Sequence, residues 1–492
     1  MSEASCPLAR RFIAVAHHHP EAPALLGADG ELIATRRDLV AHGEALAEVL
    51  AEHLRPGVTV ALAVANAGGL VPIFLALRLR PMRVALVDAA APLEELVRSA
   101  RAVGANALIA PLDRLAQLGV VWSDGDLALA IEPAPESREI PSGTAVFKLT
   151  SGSTGTPRGV ALSVRQLTAD TAQIMRTMDV RPGDITLAAI PMTHSYGLSS
   201  CLLPLLLAGC PLAFPTCALP AALVRTLVAA KVAHFPAVPA MIRAIATLPE
   251  LPAFSDLRVC LAAGAPLAPA DAAAWHAATG HKVHVFYGSS ECGGITYDRT
   301  ASPVHSLGCV GTAMERVTVE VVDESGEPVP TGSEGRVKMH SRAVALGTLP
   351  PSDPVVLRRG VFLTGDLGVL DTDGRLTLTG RVADVLNVAG KKVHPDEVRR
   401  VIEAVPGVSG AVVIGLPDPH RGDLVAAVIA VERSSRVTVR AVLATCRARL
   451  APHKVPRRVV LVDALPFSER GKLRRDEIVR LLTAPGGTPP RE

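Results

Sequence analysis

"AVFKLTSGSTGTPRG", residues 145–159, decides how the rest of the chain is read. Its first five residues are an apolar run that predicts a buried strand, and the ten that follow hold five hydroxyl side chains and three glycines. A strand that feeds such a loop offers successive backbone N–H groups beside hydroxyls, with one cation at Arg158. That cradle suits a polyphosphate far better than an apolar ligand. The same composition also serves as a plain turn between a strand and a helix. The Walker loop is excluded, because Pro157 stands five residues after Gly152 and Arg158 is followed by Gly159 instead of Ser or Thr. If this loop holds phosphate, the rest of the site comes from elsewhere in the chain.

Outward from the loop, strand and helix patterns alternate. "VTVALAVAN" (58–66) predicts a strand, 68–80 a helix, "VALVD" (84–88) a strand, 92–103 a helix and "NALIA" (106–110) a strand. On the other side come strands at 185–191, 257–264 and 281–288, with a helix in 218–232. Such alternation implies parallel sheets with crossover helices. From about 317 short strands with turn signals take over, Asp373-Gly374 among them, and predict an antiparallel subdomain. After Gly380 the pattern is helix (395–405), strand (408–416), strand (423–432), helix (437–450), strand (457–463) and a closing helix. The fold class is therefore α/β: a large N-terminal domain over 1–380, including the antiparallel subdomain at 317–380, and a small α+β C-terminal domain over 381–484. Residues 485–492 read as a disordered tail.

Composition narrows the function classes. Of 492 residues 49% are apolar, which excludes a disordered chain, and 50 basic against 47 acidic side chains leave +3 without a basic block. No nucleic-acid partner is expected. Eight cysteines without a C-x-x-C pair, and no secretory signal, fit a reducing cytoplasm. Residues 195–224 carry no charge and are long enough to span a bilayer, but Pro204, Gly209, Pro211, Pro215 and Pro220 would break a spanning helix. A helix, a short strand and a second helix in a soluble core are expected there, with no membrane span. His17, His18 and His19 read as chance composition.

Five segments occur in a recognisable order: "LTSGSTGTPRG" (149–159), "YGSSE" (287–291), "FLTGD" (362–366), "GRVADVLNVAGKKVHPDEV" (380–398) and "LPFSERGKLRR" (465–475). In these the chain resembles the adenylate-forming superfamily of acyl-CoA synthetases, peptide-synthetase adenylation domains and luciferases, over nearly its whole length. The resemblance implies ATP-dependent activation of a carboxylic acid to acyl-AMP with release of pyrophosphate. Transfer to a phosphopantetheine thiol, of CoA or of a separate acyl or peptidyl carrier protein, then follows, with Mg²⁺ as cofactor.

The resemblance also implies roles. Thr150, Ser151, Gly152, Ser153, Thr154, Gly155 and Arg158 would hold the departing phosphates. Gly264, Ala265 and Pro266 would line adenine, Tyr287 would stack on it and Gly288 would lie beside it. Ser290 would meet the α-phosphate and Glu291 a Mg²⁺ ion, whose hard character suits carboxylate and phosphate oxygen. Asp366 would accept from the ribose hydroxyls and Arg381 contact ribose and phosphate. Lys472 would reach the reacting oxygens, where a compact ammonium offsets the repulsion of two anions. Gly390 fits the turn beside the pantetheine tunnel.

Two positions depart from the family pattern. Arg158 replaces the commoner lysine, and Ala383 stands where relatives carry aspartate or lysine at the hinge about which the small domain turns. Adenylation is thus better supported than thioester transfer. For the acid, "PMTHSYGLSS" (191–200) has His194 where amino-acid-activating relatives place an aspartate, which disfavours a free amino acid. His194 and Gly197 would border the acid pocket, and the Ala- and Leu-rich 201–224 stretch would wall it, which favours an aliphatic acyl chain. An aryl acid is the alternative, as is a catalytically silent homologue that binds nucleotide or acyl-adenylate.

Overall fold

A strand buried on both faces must be apolar along nearly its whole length, and the runs read above follow that pattern with few polar interruptions. The computed structural model describes residues 6–484 apart from 67–68, 132–138, 152–156, 304–305, 352–355, 359, 383–385, 389–390, 419–421, 433–434 and 468–472. Thr59–Leu62, Arg83–Leu86, Ala107–Pro111 and Val146–Ser151 lie side by side as parallel strands. Pro157–Leu162 and Gly347–Leu349 extend this sheet on one side, Leu127–Ile131 and Val120–Asp124 on the other, all antiparallel.

A second sheet takes the later strands. Its parallel part runs Val283–Ser289, Val259–Ala262, His234–Ala237, Thr186–Leu187, Leu212–Ala213, Pro23–Leu26. The expected single rhythm is thus divided between two sheets. Antiparallel strands Gly293–Tyr297 and Cys309–Ala313 continue it beyond Val283–Ser289. The uncharged 195–224 stretch divides as its prolines require: a helical turn Ser195–Gly197, a π-helical turn Leu198–Leu202, a helix Leu203–Ala208, a strand Leu212–Ala213 and a helix Pro220–Ala229. Among the described residues no helix is long and apolar enough to cross a membrane.

One local expectation changes. The loop after Val146–Ser151 leads not to a helix but to Pro157–Leu162, which pairs antiparallel with the strand before it, Leu149 opposite Gly159 and Thr150 opposite Arg158. The helix begins later, at Val164, because Ser163 and Gln166 form a capping box that satisfies its first N–H groups. The phosphate-loop candidate therefore falls between two strands that pair antiparallel.

By contacts the chain forms two units, the first 1–320 with 338–363 and 374–376, the second 321–337 with 364–373 and 377–492. In the second, Val408–Asp418 and Gly422–Val431 form a hairpin, and Arg458–Val462 adds in parallel. Period-2 alternation splits Gly422–Val431 between two cores. Val425, Ala427 and Ile429 pack with Val398, Ile402, Val442 and Cys446, while Ala426 and Val428 pack with Ile478 and Leu482. The eight cysteines are free thiols.

His234, in the middle of the second sheet, is 1% exposed. Its Nδ1 lies 3.5 Å from Thr186 Oγ1, and among the described residues its Nε2 has no hydrogen-bond partner. Burial pulls its pKa from 6.5 to about 4, against the pull of Asp184. The folded protein keeps this ring neutral while the unfolded chain takes up a proton near pH 6.5. Stability is therefore complete above pH 6.5 and falls as pH drops toward 4, by up to about 3 kcal/mol from this residue. Urea titrations at pH 7.0 and 4.5 should show that loss, and His234→Leu should remove its share of it.

Candidate functional site

Within the first unit the "YGSSE" segment lies where the parallel sheet ends. Val283 and Val285 still pair with Cys260 and Ala262, whereas Phe286 to Ser289 pair antiparallel with Gly293–Tyr297. Ser290 and Glu291 occupy the turn between these two strands. The backbone oxygen of Glu291 accepts from Ala345 N at 2.8 Å. Among the described residues its carboxylate makes no hydrogen bond or ion pair, and it interacts electrostatically with Lys148. The chemistry of that donor fits a magnesium ion that takes its remaining oxygens from phosphate and water. Among the described residues there is no cluster of three acidic, histidine or cysteine side chains that would hold a metal by itself.

Behind this turn lies a polar cluster in an apolar core. Asp170, on the helix Val164–Thr177, accepts from Gly294 N at 3.0 Å and from Ser199 Oγ at 2.6 Å. Lys148, on the strand that feeds the hairpin loop, places Nζ 3.4 Å from Ser199 Oγ and 4.0 Å from Asp170 Oδ2, with side chains 2% and 4% exposed. Burial lowers the Lys148 pKa, opposed by Asp170, Cys292 and Glu291. Gly293 has φ +71°, and a Cβ there would lie 2.1 Å from Asp170 Oδ1. Cys292, 3.2 Å from Ser289 Oγ, is pushed up to about 12 by burial and is no nucleophile.

The acid-pocket candidates share a tightly held segment. Asn66 donates to the carbonyls of Ala188 (2.9 Å) and Ile190 (2.7 Å) and accepts from Met192 N (2.7 Å). Two residues on, His194 Nε2 lies 3.4 Å from Asp88 Oδ2. Asn66 and Asp88 follow two neighbouring strands of the first sheet, Thr59–Leu62 and Arg83–Leu86. Gly197 lets the helical turn rest on the preceding loop, since a Cβ there would lie 2.2 Å from Pro191 O. Tyr196 packs its ring 5.8 Å from Phe286 and donates to Ala237 O at 3.3 Å; burial raises its pKa well above 10.

The other expected residues fall in several places. Thr150 is in the strand, its hydroxyl 3.4 Å from Arg158 O, and Arg158 is exposed. Gly264, Ala265 and Pro266 form an exposed turn after Val259–Ala262, and Tyr287 and Gly288 belong to Val283–Ser289. In the second unit Asp366, on Val361–Leu370, accepts from Arg381 Nε at 2.8 Å, so these two are brought together. Gly152, Ser153, Thr154, Gly155, Ala383, Gly390 and Lys472 lie outside the described residues, as does the side chain of Ser151.

Sequence reasoning missed Lys148, Asp170, Ser199 and Asn66. Two signals were present. Lys148 interrupts the apolar run of a strand buried on both faces, and Asp170 falls three residues after Leu167 and four before Ile174, on the buried stripe of its helix. The structure also corrects the aliphatic wall. Cys201, Leu202, Leu203, Leu205, Leu206, Leu212 and Phe214 are buried in the main apolar core, which they share with Phe12, Leu50 and Phe74.

Comparison with known proteins follows the same lines. The model for AMP-binding enzymes matches residues 12–349, and that for the AMP-binding enzyme C-terminal domain matches 397–472. A feruloyl-CoA synthase of an Amycolatopsis species is 32% identical over 362 residues, which cover 72% of this chain and 73% of that protein. Amide bond synthetase McbA from Marinactinospora thermotolerans has the same fold, with TM-score 0.83 and 27% identity over 97% of this chain and 99% of that one. ATP-bound MatB from Rhodopseudomonas palustris gives 0.81 and 25%, over 96% and 98%.

The Asn66 clamp makes its own prediction. Asn66→Ala strands one N–H and two carbonyls, so about 1–3 kcal/mol of stability should be lost. Hydrogen-exchange mass spectrometry should show faster exchange confined to peptides spanning 188–194.

Proposed function

The chain belongs to the AMP-binding enzyme family, and we propose that it activates a carboxylic acid with ATP as acyl-AMP and passes it to a thiol, and that its acid is an aryl one, of the arylpropenoate type that a feruloyl-CoA synthase uses. The observation that carries this reading is the match to that synthase over 72% of the chain. It is supported by the burial of the 201–214 leucines in the main core, which withdraws the argument for an aliphatic pocket. Tyr196, packed 5.8 Å from Phe286, puts an aromatic ring on the 191–200 segment.

In this reading the acid carboxylate attacks the α-phosphorus of ATP and the bond to pyrophosphate breaks. Ser290 meets the α-phosphate, the 150–158 segment with Arg158 holds the departing phosphates, and the carboxylate of Glu291 would hold Mg²⁺. That ion, when bound, neutralises phosphate oxygens as charge moves onto pyrophosphate. Gly264, Ala265, Pro266, Tyr287 and Gly288 border adenine. Asp366 takes the ribose hydroxyls, and Arg381, which donates to it at 2.8 Å, contacts ribose and phosphate. Lys472, in a small domain that begins near residue 381, brings an ammonium to two crowded anions. A thiolate then attacks the acyl carbon, AMP leaves, and Gly390 borders the path of the pantetheine arm. The thiol belongs to CoA or to a separate carrier protein, and the cytoplasm supplies both.

Carboxylate-dependent ATP–pyrophosphate exchange over aryl, dicarboxylic, fatty and amino acids tests the acid. The highest kcat/KM is expected with an arylpropenoate; a fatty acid that exceeds it tenfold overturns the aryl reading (a difference of about 1.4 kcal/mol in transition-state binding). Lys472→Ala should nearly abolish the exchange while ATP still binds by calorimetry. Exchange at the wild-type rate in that variant would remove Lys472 from the mechanism.

A further inference from the structure

We infer that the buried Lys148–Asp170–Ser199 cluster is a positioning device for the metal-binding carboxylate of Glu291, coupling the strand that enters the phosphate loop to the turn that carries the metal ligand. This rests on the reading of Glu291 as the Mg²⁺ ligand. Asp170 is the node. One oxygen accepts from Gly294 N, three residues past Glu291, and occupies the space that a side chain at Gly293 would need. The other accepts from Ser199 Oγ and faces Lys148 Nζ. Lys148 lies two residues before Thr150 on one strand, so a displacement of either motif is felt at the same carboxylate.

Between these anchors the turn has little freedom. Ser289 is held in the ladder opposite Gly293 and contacts Cys292, and the backbone oxygen of Glu291 is fixed by Ala345 N. An ion pair buried to this degree is a poor way to gain stability, since apolar side chains of similar volume do as well. Its use lies in direction: a charged acceptor aimed at one backbone N–H specifies one path for residues 289–294, which an apolar contact does not. Burial also keeps solvent from competing for that acceptor.

The test compares variants of the full-length protein by Mn²⁺ binding, followed by electron paramagnetic resonance in the presence of a non-hydrolysable ATP analogue. Asp170→Asn keeps the shape of the side chain and one acceptor but removes the charge; it should weaken Mn²⁺ binding about tenfold or more, as loss of an orienting partner does elsewhere. In exchange assays the half-saturating Mg²⁺ should rise with it, while KM for the acid stays within about twofold. Ser199→Ala should shift both in the same direction by less, and it serves if Asp170→Asn does not fold. The double variant Lys148→Met with Asp170→Asn, which buries no net charge, should recover thermal stability without recovering Mn²⁺ affinity. Glu291→Gln separates the two readings. If it leaves Mn²⁺ binding unchanged, the assignment of the metal to Glu291 fails and the inference falls with it. If Glu291→Gln weakens binding while folded Asp170→Asn and Ser199→Ala bind as wild type, or lose only stability, the inference alone is overturned.

Discussion

A lysine and an aspartate that meet 4.0 Å apart inside an apolar core are the constraint around which the first unit is arranged. Neither charge can be left there alone, because loss of one partner of such a pair typically costs about 3–5 kcal/mol. The strand Val146–Ser151, the helix Val164–Thr177, the π-helical turn Leu198–Leu202 and the start of Gly293–Tyr297 must therefore all arrive at one place. Two of these elements bear the residues assigned to phosphate and metal, or adjoin them. The ion pair is a geometric demand on the fold more than a source of its stability.

The chemistry explains why such a demand is useful. Joining a carboxylate to a triphosphate brings anion to anion, and the barrier falls only if positive charge is already in place when the oxygens meet. Donors that move must be reorganised at a cost, so the groups nearest the reacting phosphorus belong on regular elements. The turn Ser290–Glu291 is short and tied on both sides, by the ladder of Val283–Ser289 with Gly293–Tyr297 and by Ala345. The segment proposed to border the acid is held by a different device, the Asn66 clamp and the Asp88–His194 contact, both anchored in the first sheet.

What was legible in the sequence follows from the range of the interactions. Glycine- and hydroxyl-rich loops announce themselves because their chemistry is local, and the doubly buried strands do so because they are runs of mostly apolar residues. The cluster behind Glu291 is different: Asp170 and Gly294 are 124 residues apart, and Asn66 and Met192 are 126 apart, so neither partner implies the other. Which strand joins which sheet was hidden for the same reason, since Pro23–Leu26 finds its parallel neighbour at Leu212–Ala213. The leucines after residue 200 misled because a short helix apolar on every side looks the same whether it lines a cavity or fills a core, and here it fills the core. The hairpin after Ser151 was missed because the short second strand, with Pro157 at its start and Gly159 within, carries weak strand signals.

The close seat of Gly197 on the carbonyl of Pro191 has a bearing on how this chain could diversify. With Asn66 gripping 188–192 and no room for even one methyl group at 197, the main chain there has a single course. On the proposed reading of 191–200 as the border of the acid, a new acid is then accommodated by exchanging side chains, at positions such as His194 and Tyr196, rather than by rerouting the main chain.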